Sequence, residues 1–174
     1  MFSREKRKEE VIEKILCEKY NSYYRMAYSF VKNQSDAEDI VQEGAYKAVK
    51  NSASLKNTAY ASTWIYRIMM NEIYRFTAKM RKVLPLDETV LEEEAREDVY
   101  ENVDLKRALE AMPEADRTVV QLKYFEEMKL EEIAEVLGEN LSTVKSRLYR
   151  ALKKLRMELE CGELEDEGGY SNGK

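Results

Sequence analysis

The chain has 174 residues, of which 44% are hydrophobic and 36% charged, with a formal net charge of −5. It contains 6 glycines, 2 prolines and no histidine, and its two cysteines, Cys17 and Cys161, lie far apart. The absence of histidine removes the usual general base and the commonest metal ligand. Neither a metal-ligand spacing nor a phosphate-binding loop is present, so we expect no enzymatic activity, no metal and no cofactor.

Few glycine and proline breaks favour long helices over many short strands, so we expect an all-α fold. The N-terminal segment MFSREKRKEE lacks the apolar run of a signal peptide. No later segment approaches the length of about 18 apolar residues that a membrane helix needs. These features predict a soluble, cytoplasmic protein.

The first predicted helices cover the region up to about Lys50. Apolar residues recur at helical spacing from Val11 to Val31, with a break near Asn21. The sequence Ser35-Asp36-Ala37-Glu38 fits a capping box, in which Ser35 would cap the next helix. The outer face of that helix is acidic and polar, which by itself is typical of a solvated surface: Asp39, Gln42, Glu43 and Tyr46.

A polar, turn-like stretch from Asn51 to Ala61 precedes another helix, in which aromatic and basic residues alternate. They are Trp64, Tyr66, Arg67, Tyr74, Arg75 and Lys79. Aromatic rings among cations are typical of surfaces that bind unstacked single strands. Aromatics at helical spacing are equally compatible with a packed core, and the pattern alone does not decide between the two, although we expect Trp64 to be at least partly buried.

An acidic segment divides the chain. Pro85 ends the helical pattern, and nine acidic residues follow between Asp87 and Asp104. Such a run repels itself and packs poorly. We therefore predict two helical domains at residues 8–82 and 105–158, joined by an acidic linker at 83–104 and followed by an acidic, disordered tail at 159–174.

The stretch from Leu130 to Arg156 has the pattern of a helix-turn-helix. Gly138 lies where a helix end favours positive φ, and Ser142 is a good N-cap residue for the second helix. One side of that helix is apolar, and the opposite side carries Ser142, Lys145, Ser146, Tyr149 and Lys153. From Ser142 to Arg156 there are six basic residues and no acidic ones. This face suits the major groove of DNA, although a helical hairpin with a solvated basic face is the simpler alternative.

Several motifs in this order resemble the extracytoplasmic-function (ECF) group of bacterial RNA polymerase sigma factors. The resemblance covers about residues 20–158 and depends on three stretches: YRMAYSFVKNQSDAEDIVQEGAYKAV, STWIYRIMMNEIYRF and ALEAMPEADRTVVQLKYFEEMKLEEIAEVLGENLSTVKSRLYRALKKLR. It implies a protein that binds RNA polymerase core and directs promoter recognition, for envelope-stress genes and under the control of a membrane-anchored anti-sigma factor. It implies no small-molecule substrate.

The resemblance also implies three sets of site residues. The set matching the contact with a coiled coil of the largest polymerase subunit is Asp36, Asp39, Gln42 and Glu43. The set matching recognition and melting of the minus-ten element is Asn57, Tyr60, Trp64, Arg67, Asn71 and Arg75. The set matching the duplex minus-thirty-five element is Ser142, Thr143, Lys145, Ser146, Arg147, Tyr149 and Arg150, with Arg147 as a phosphate contact.

Two stretches depart from the family pattern. Gly44-Ala45-Tyr46 replaces a bulkier run, although glycine inside a helix costs about 1 kcal/mol relative to alanine. Met69-Met70 stands where smaller residues are frequent. Two other functions remain compatible with the residues: a regulator that binds duplex operators as a dimer without polymerase, and an all-α enzyme or adaptor.

Overall fold

The computed structural model describes residues 2–83 and 103–167. Within these ranges all regular structure is helical, which confirms the predicted fold class. Within these ranges the chain forms two compact units, one of residues 2–83 with 134–138 and the other of residues 103–133 with 139–167. In the described ranges, each helix is too short or too polar to cross a bilayer.

The first unit contains helices α1 (Phe2–Glu18), α2 (Tyr20–Val31), α3 (Gln34–Lys50) and α4 (Ala61–Val83). Two short 3-10 turns, Ser52–Ser54 and Thr58–Tyr60, connect α3 to α4. The predicted break near Asn21 lies at Lys19. Helix α1 begins at Phe2, before the predicted domain boundary at residue 8.

The core of the first unit forms where the apolar faces of α2, α3 and α4 meet. Its centre contains two fully buried tyrosines, Tyr23 and Tyr66, whose rings meet edge to face with centroids 4.8 Å apart. Tyr66 is therefore a core residue and is inaccessible to a nucleic acid strand. The single-strand interpretation was wrong for this ring, because helical spacing places Tyr66 on the same face as Ile65, Met69 and Ile73, all buried.

The capping box predicted at Ser35 was also wrong. Helix α3 starts at Gln34, and the side chain of Asn33 accepts a hydrogen bond from the backbone N–H of Asp36 at 3.0 Å. Glu38 instead accepts a hydrogen bond from the side-chain amide of Gln34 at 2.9 Å. Asparagine and serine cap helices about equally well, and Asn33 comes first along the chain.

The second unit contains α5 (Val103–Glu110), α6 (Glu114–Tyr124) and α8 (Leu141–Glu167). The shorter α7 (Leu130–Leu137) precedes α8 in the chain, and only its first half belongs to this unit. Buried side chains of α5, α6 and α8 and of the α5–α6 turn form its core: Leu109, Met112, Val120 and Ala151. Leu152, predicted on the apolar side of α8, is 39% exposed.

Helix α8 continues to Glu167, so residues 159–167 are helical and the prediction of a disordered tail from residue 159 was wrong for them. An ion pair between Arg156 and Glu160, 2.8 Å apart, supports this continuation. Most of the predicted acidic linker, residues 84–102, lies outside the described residues, as do residues 168–174. The domain boundaries therefore remain a prediction.

Candidate polymerase and promoter interfaces

The outer face of α3 borders an open hollow on the first unit. Asp39, Gln42 and Glu43 are exposed and line this hollow. Its opposite side is formed by residues of α4, including Arg75 and Lys79. Asp36, the fourth predicted polymerase contact, is half-buried in the first turn of α3 and is absent from the lining of the hollow. The hollow therefore brings together three of the four predicted contacts.

Four charged side chains form a closed ring between α3 and α4, which we call the charge ring: Glu43, Lys47, Glu72 and Arg75. The Lys47 ammonium lies 2.6 Å from Glu72 and 3.3 Å from Glu43. The Arg75 guanidinium lies 2.5 Å from Glu72 and 3.8 Å from Glu43. Because Glu72 is only 7% exposed, it is the buried anchor of the ring, and its two cations offset the cost of burying its charge.

The charge ring changes the interpretation of Arg75. The resemblance places this residue with the minus-ten set, and its helical position agrees. Its guanidinium, however, is paired with Glu72 and Glu43 at the hollow between α3 and α4. Arg75 therefore lies with the residues that line the hollow beside α3.

Of the other predicted minus-ten residues, Asn57 and Tyr60 lie in the turn before α4, and Trp64, Arg67 and Asn71 form a stripe along the first half of the helix. Tyr60, in the turn before the helix, is 60% exposed. Trp64 is half-buried, as expected, while Arg67 and Asn71 are exposed. Positions 64, 67 and 71 are spaced at i, i+3 and i+7 and so lie on one side of the helix. The Asn57 side chain accepts a hydrogen bond from the backbone N–H of Ala59 at 2.9 Å, which shapes the turn.

The helix-turn-helix is observed at the predicted position. Gly138 has a φ of 66°, the left-handed conformation predicted for it. The N-cap of α8, however, is Asn140 rather than Ser142. Its side-chain oxygen accepts from the backbone N–H of Thr143 at 2.8 Å and from the Ser142 hydroxyl at 2.7 Å.

The outward face of α8, which we call the reading face, is exposed as predicted. Tyr149 is 73% exposed, and Lys145, Ser146 and Lys153 are exposed around it. A second hollow beside this face is lined by Ser142, Thr143, Ser146, Arg147 and Arg150. Five of the seven predicted minus-thirty-five residues therefore line this hollow.

Two arginines of the reading face are paired with carboxylates. Arg147 lies 2.7 Å from Glu139, and its side chain is 23% exposed. Arg150 donates two hydrogen bonds to Asp116 on α6. These bonds and the charge of Asp116 raise the pKa of the Arg150 guanidinium, which stays cationic.

Sequence reasoning missed the carboxylates that pair with Arg147 and Arg150. It also missed the ion pairs that the buried Glu72 makes within the charge ring. The pairs Glu43–Lys47 and Glu72–Arg75 have helical spacing and could have been found as isolated surface pairs. The link between them joins residues 25 positions apart, and the link between Asp116 and Arg150 joins residues 34 positions apart. No local pattern signals either one.

Comparison with known proteins identifies the family. The family described as Sigma-70 region 2 matches residues 18–83, and the family described as Sigma-70, region 4 matches residues 102–155. RNA polymerase sigma factor SigV of Bacillus subtilis is 42% identical over 144 residues, which cover 82% of this chain and 87% of SigV. The ECF RNA polymerase sigma factor SigW of the same organism is 31% identical over 153 residues, covering 78% of this chain and 82% of SigW.

Solved structures show the same fold. The sigma factor RpoE from Bartonella quintana, solved in complex with the anti-sigma factor NepR, gives a TM-score of 0.69 at 23% identity. This similarity covers 85% of the present chain and 96% of RpoE. CnrH, solved in complex with the cytosolic domain of CnrY, gives a TM-score of 0.61 at 21% identity over 86% of this chain and 88% of CnrH.

The chain is a bacterial RNA polymerase sigma factor of the sigma-70 family. Within that family it belongs to the ECF group, so binding to RNA polymerase and recognition of promoter DNA are its function.

Proposed function

We propose that this sigma factor performs promoter recognition through three separate surfaces. The docking hollow, with Asp39, Gln42 and Glu43, binds the coiled coil of the largest polymerase subunit. The α4 stripe, with Trp64, Arg67 and Asn71, engages the minus-ten element and holds the melted strand. The reading face of α8 binds the duplex minus-thirty-five element.

The single observation that supports these roles is the exposure of the assigned faces. A helix in a small domain normally presents charged and polar side chains to water, so exposure alone is weak evidence. Here most of the residues that match the family's contact positions are exposed in both units, and Tyr149, a large aromatic, is 73% exposed. An aromatic that exposed forgoes burial in its own domain and is available to a partner.

The chain itself makes and breaks no covalent bonds in this proposal. Extruding and holding a base costs a few kcal/mol of unstacking, and contacts from the α4 stripe and from Tyr60 offset that cost. Because the two units belong to one chain, binding of one promoter element raises the effective concentration of the other reader. Two weak readers then give one selective complex.

Reconstitution with purified RNA polymerase core tests the proposal. The full-length chain should bind core and produce transcripts with defined starts from genomic DNA fragments. Glu43→Lys should abolish both core binding and transcription. Tyr149→Ala should leave core binding unchanged while transcription falls.

Two matched control variants separate these effects from general damage. Glu13→Lys makes the same charge change on an exposed position of α1, and Tyr124→Ala removes an exposed tyrosine from α6. Both should behave as wild type. A chain that binds palindromic DNA as a stable dimer and does not bind core would contradict the proposal.

We further propose that a membrane-anchored anti-sigma factor controls this cytoplasmic protein and that envelope stress releases it. Of the two solved proteins of similar fold, RpoE was determined in complex with the anti-sigma factor NepR and CnrH in complex with the cytosolic domain of CnrY. Mapping transcript starts after overproduction should yield genes that are also induced by agents that damage the envelope. Two unrelated gene sets would exclude the envelope-stress role while leaving the sigma function intact.

A further inference from the structure

The contact between Asp116 and Arg150 has a geometry that constrains the arginine. Nε of Arg150 donates to one carboxylate oxygen at 2.9 Å, and Nη2 donates to the other at 2.7 Å. Two parallel hydrogen bonds fix the plane of the guanidinium as well as its position. Arg150 therefore presents one orientation instead of sampling many.

Asp116 and Arg150 differ sharply in exposure. The Asp116 side chain is 4% exposed, whereas the Arg150 side chain is 64% exposed. The carboxylate is thus built into the packing of α6, and the guanidinium extends from it toward the hollow of the reading face. The N–H groups of Arg150 that Asp116 does not use remain available to a partner.

The carboxylate also changes what Arg150 contributes to DNA binding. Phosphate attraction depends on net positive charge and is independent of sequence. Asp116 offsets the charge of Arg150 at short range, which weakens that contribution. The directional hydrogen bonds of a fixed guanidinium remain, and such bonds distinguish one base pair from another.

We propose that Asp116 is a positioning residue that sets sequence specificity at the reading face by orienting Arg150 and offsetting its charge. This inference rests on the proposed role of α8 in binding the minus-thirty-five element. Asp116 itself does not touch DNA. Its effect passes through Arg150 and should vanish when Arg150 is absent.

The experiment uses holoenzyme assembled from purified core and the full-length chain. It selects from a duplex library in which the upstream element of a mapped promoter is randomised. The chains compared are wild type, Asp116→Asn, Arg150→Ala and the double variant. Sequencing the bound fraction gives the preference at each base pair, and titration with random duplex at several salt concentrations gives non-specific affinity.

Asp116→Asn should lower the preference at the base pairs read by Arg150 by roughly five-fold or more. Non-specific affinity should stay equal or rise. The slope of log K against log salt concentration should become steeper by up to about one, because one negative charge is lost. In the Arg150→Ala background, Asp116→Asn should cause no further loss of preference. A purely structural role would instead weaken specific and non-specific binding together.

Glu160→Gln is the matched control. It removes the carboxylate that pairs with Arg156 at 2.8 Å on the same helix, beyond the reading face, and should leave the base preferences unchanged. If Asp116→Asn does not fold, Arg150→Lys takes its place, since lysine keeps the charge but cannot form the planar fork. It should lose the same preferences with Asp116 intact.

Unchanged preferences in Asp116→Asn, or an equal loss with and without Arg150, would overturn the inference while leaving the proposed function in place. Wild-type holoenzyme that selects no upstream sequence would overturn the proposed function and this inference together. Core binding of every variant, measured in parallel, separates these outcomes from failed assembly.

Discussion

Gly44 of α3 lies directly against the side chain of Met69 of α4. A Cβ atom built on Gly44 of α3 would lie 2.4 Å from Sδ and 3.2 Å from Cε of Met69 on α4. Met69 is 2% exposed, so its thioether is enclosed by the core. Glycine at position 44 therefore makes room for the buried side chain of Met69.

Gly44→Ala tests this coupling. Replacing a helical glycine by alanine gains about 1 kcal/mol of helix propensity. The new methyl would force the Met69 sulfur to move by more than about 1 Å to reach an ordinary contact distance. Overpacking of this kind costs about 1–3 kcal/mol. The net change should lie between neutral and a destabilisation of about 2 kcal/mol.

Met69→Ala supplies the second arm of a double-mutant cycle. Alone it should destabilise by about 2–5 kcal/mol, because it leaves a cavity in the core. With Met69 shortened, Gly44→Ala should become stabilising, since the clash is gone and the propensity gain remains. The interaction energy between the two changes should be about −1 to −3 kcal/mol.

Trp64 makes the measurement possible. It is the only tryptophan of the chain and lies on α4, so its fluorescence during urea unfolding reports the first unit. Ala45→Gly, one position further along α3, is the control. It should lower the free energy of unfolding by the same amount in the parent chain and in the Met69→Ala variant. If Gly44→Ala stabilises the parent chain by the full propensity gain, or acts equally in both backgrounds, the steric argument is refuted.

Two further predictions concern polar contacts. Asn140→Ala removes the acceptor of the hydrogen bonds that cap α8 and should destabilise the second unit by about 0.5–2 kcal/mol. Hydrogen exchange of α8 amides measures it, and equal protection in both chains would contradict the cap assignment. Glu72→Gln leaves Lys47 and Arg75 with only the more distant carboxylate of Glu43 and should destabilise the first unit by about 1–3 kcal/mol. The affinity of this variant for RNA polymerase core should also fall. If neither unfolding followed by Trp64 fluorescence nor binding to RNA polymerase core changed, the charge ring would contribute to neither stability nor docking.

The sequence was sufficient for the helices and the helix-turn-helix because both depend on local patterns. Apolar periodicity placed the break between α1 and α2 near its observed position, and Gly138 marked the turn before α8. The caps were misassigned in the same way twice. At both sites a serine stood close to an asparagine of equal capping strength, and only the structure shows that Asn33 and Asn140 are the caps.

Interactions between helices are what the sequence could not supply. The exposed faces of α3 and α8 followed from periodicity and matched the family. Periodicity did not predict the carboxylates that pair with Arg75 and Arg150. These carboxylates belong to Glu72 and Asp116, which are buried acids, and composition alone assigns acidic residues to solvent. Both arginines therefore had the same sequence pattern, and only packing shows that Arg75 is paired with Glu72 and Arg150 with Asp116.

Helix α4 carries residues of two of the proposed interfaces, and this has a mechanical consequence. It is continuous from Ala61 to Val83, so Trp64 and Arg75 lie on one rigid element, about 16 Å apart along its axis at 1.5 Å per residue. Arg75 is linked through the charge ring to α3, which carries the proposed docking residues Asp39, Gln42 and Glu43. Binding of polymerase at the hollow would therefore fix the orientation of the α4 stripe as well. We infer that docking and the presentation of Trp64, Arg67 and Asn71 to the minus-ten element are coupled through a single helix rather than through a loop.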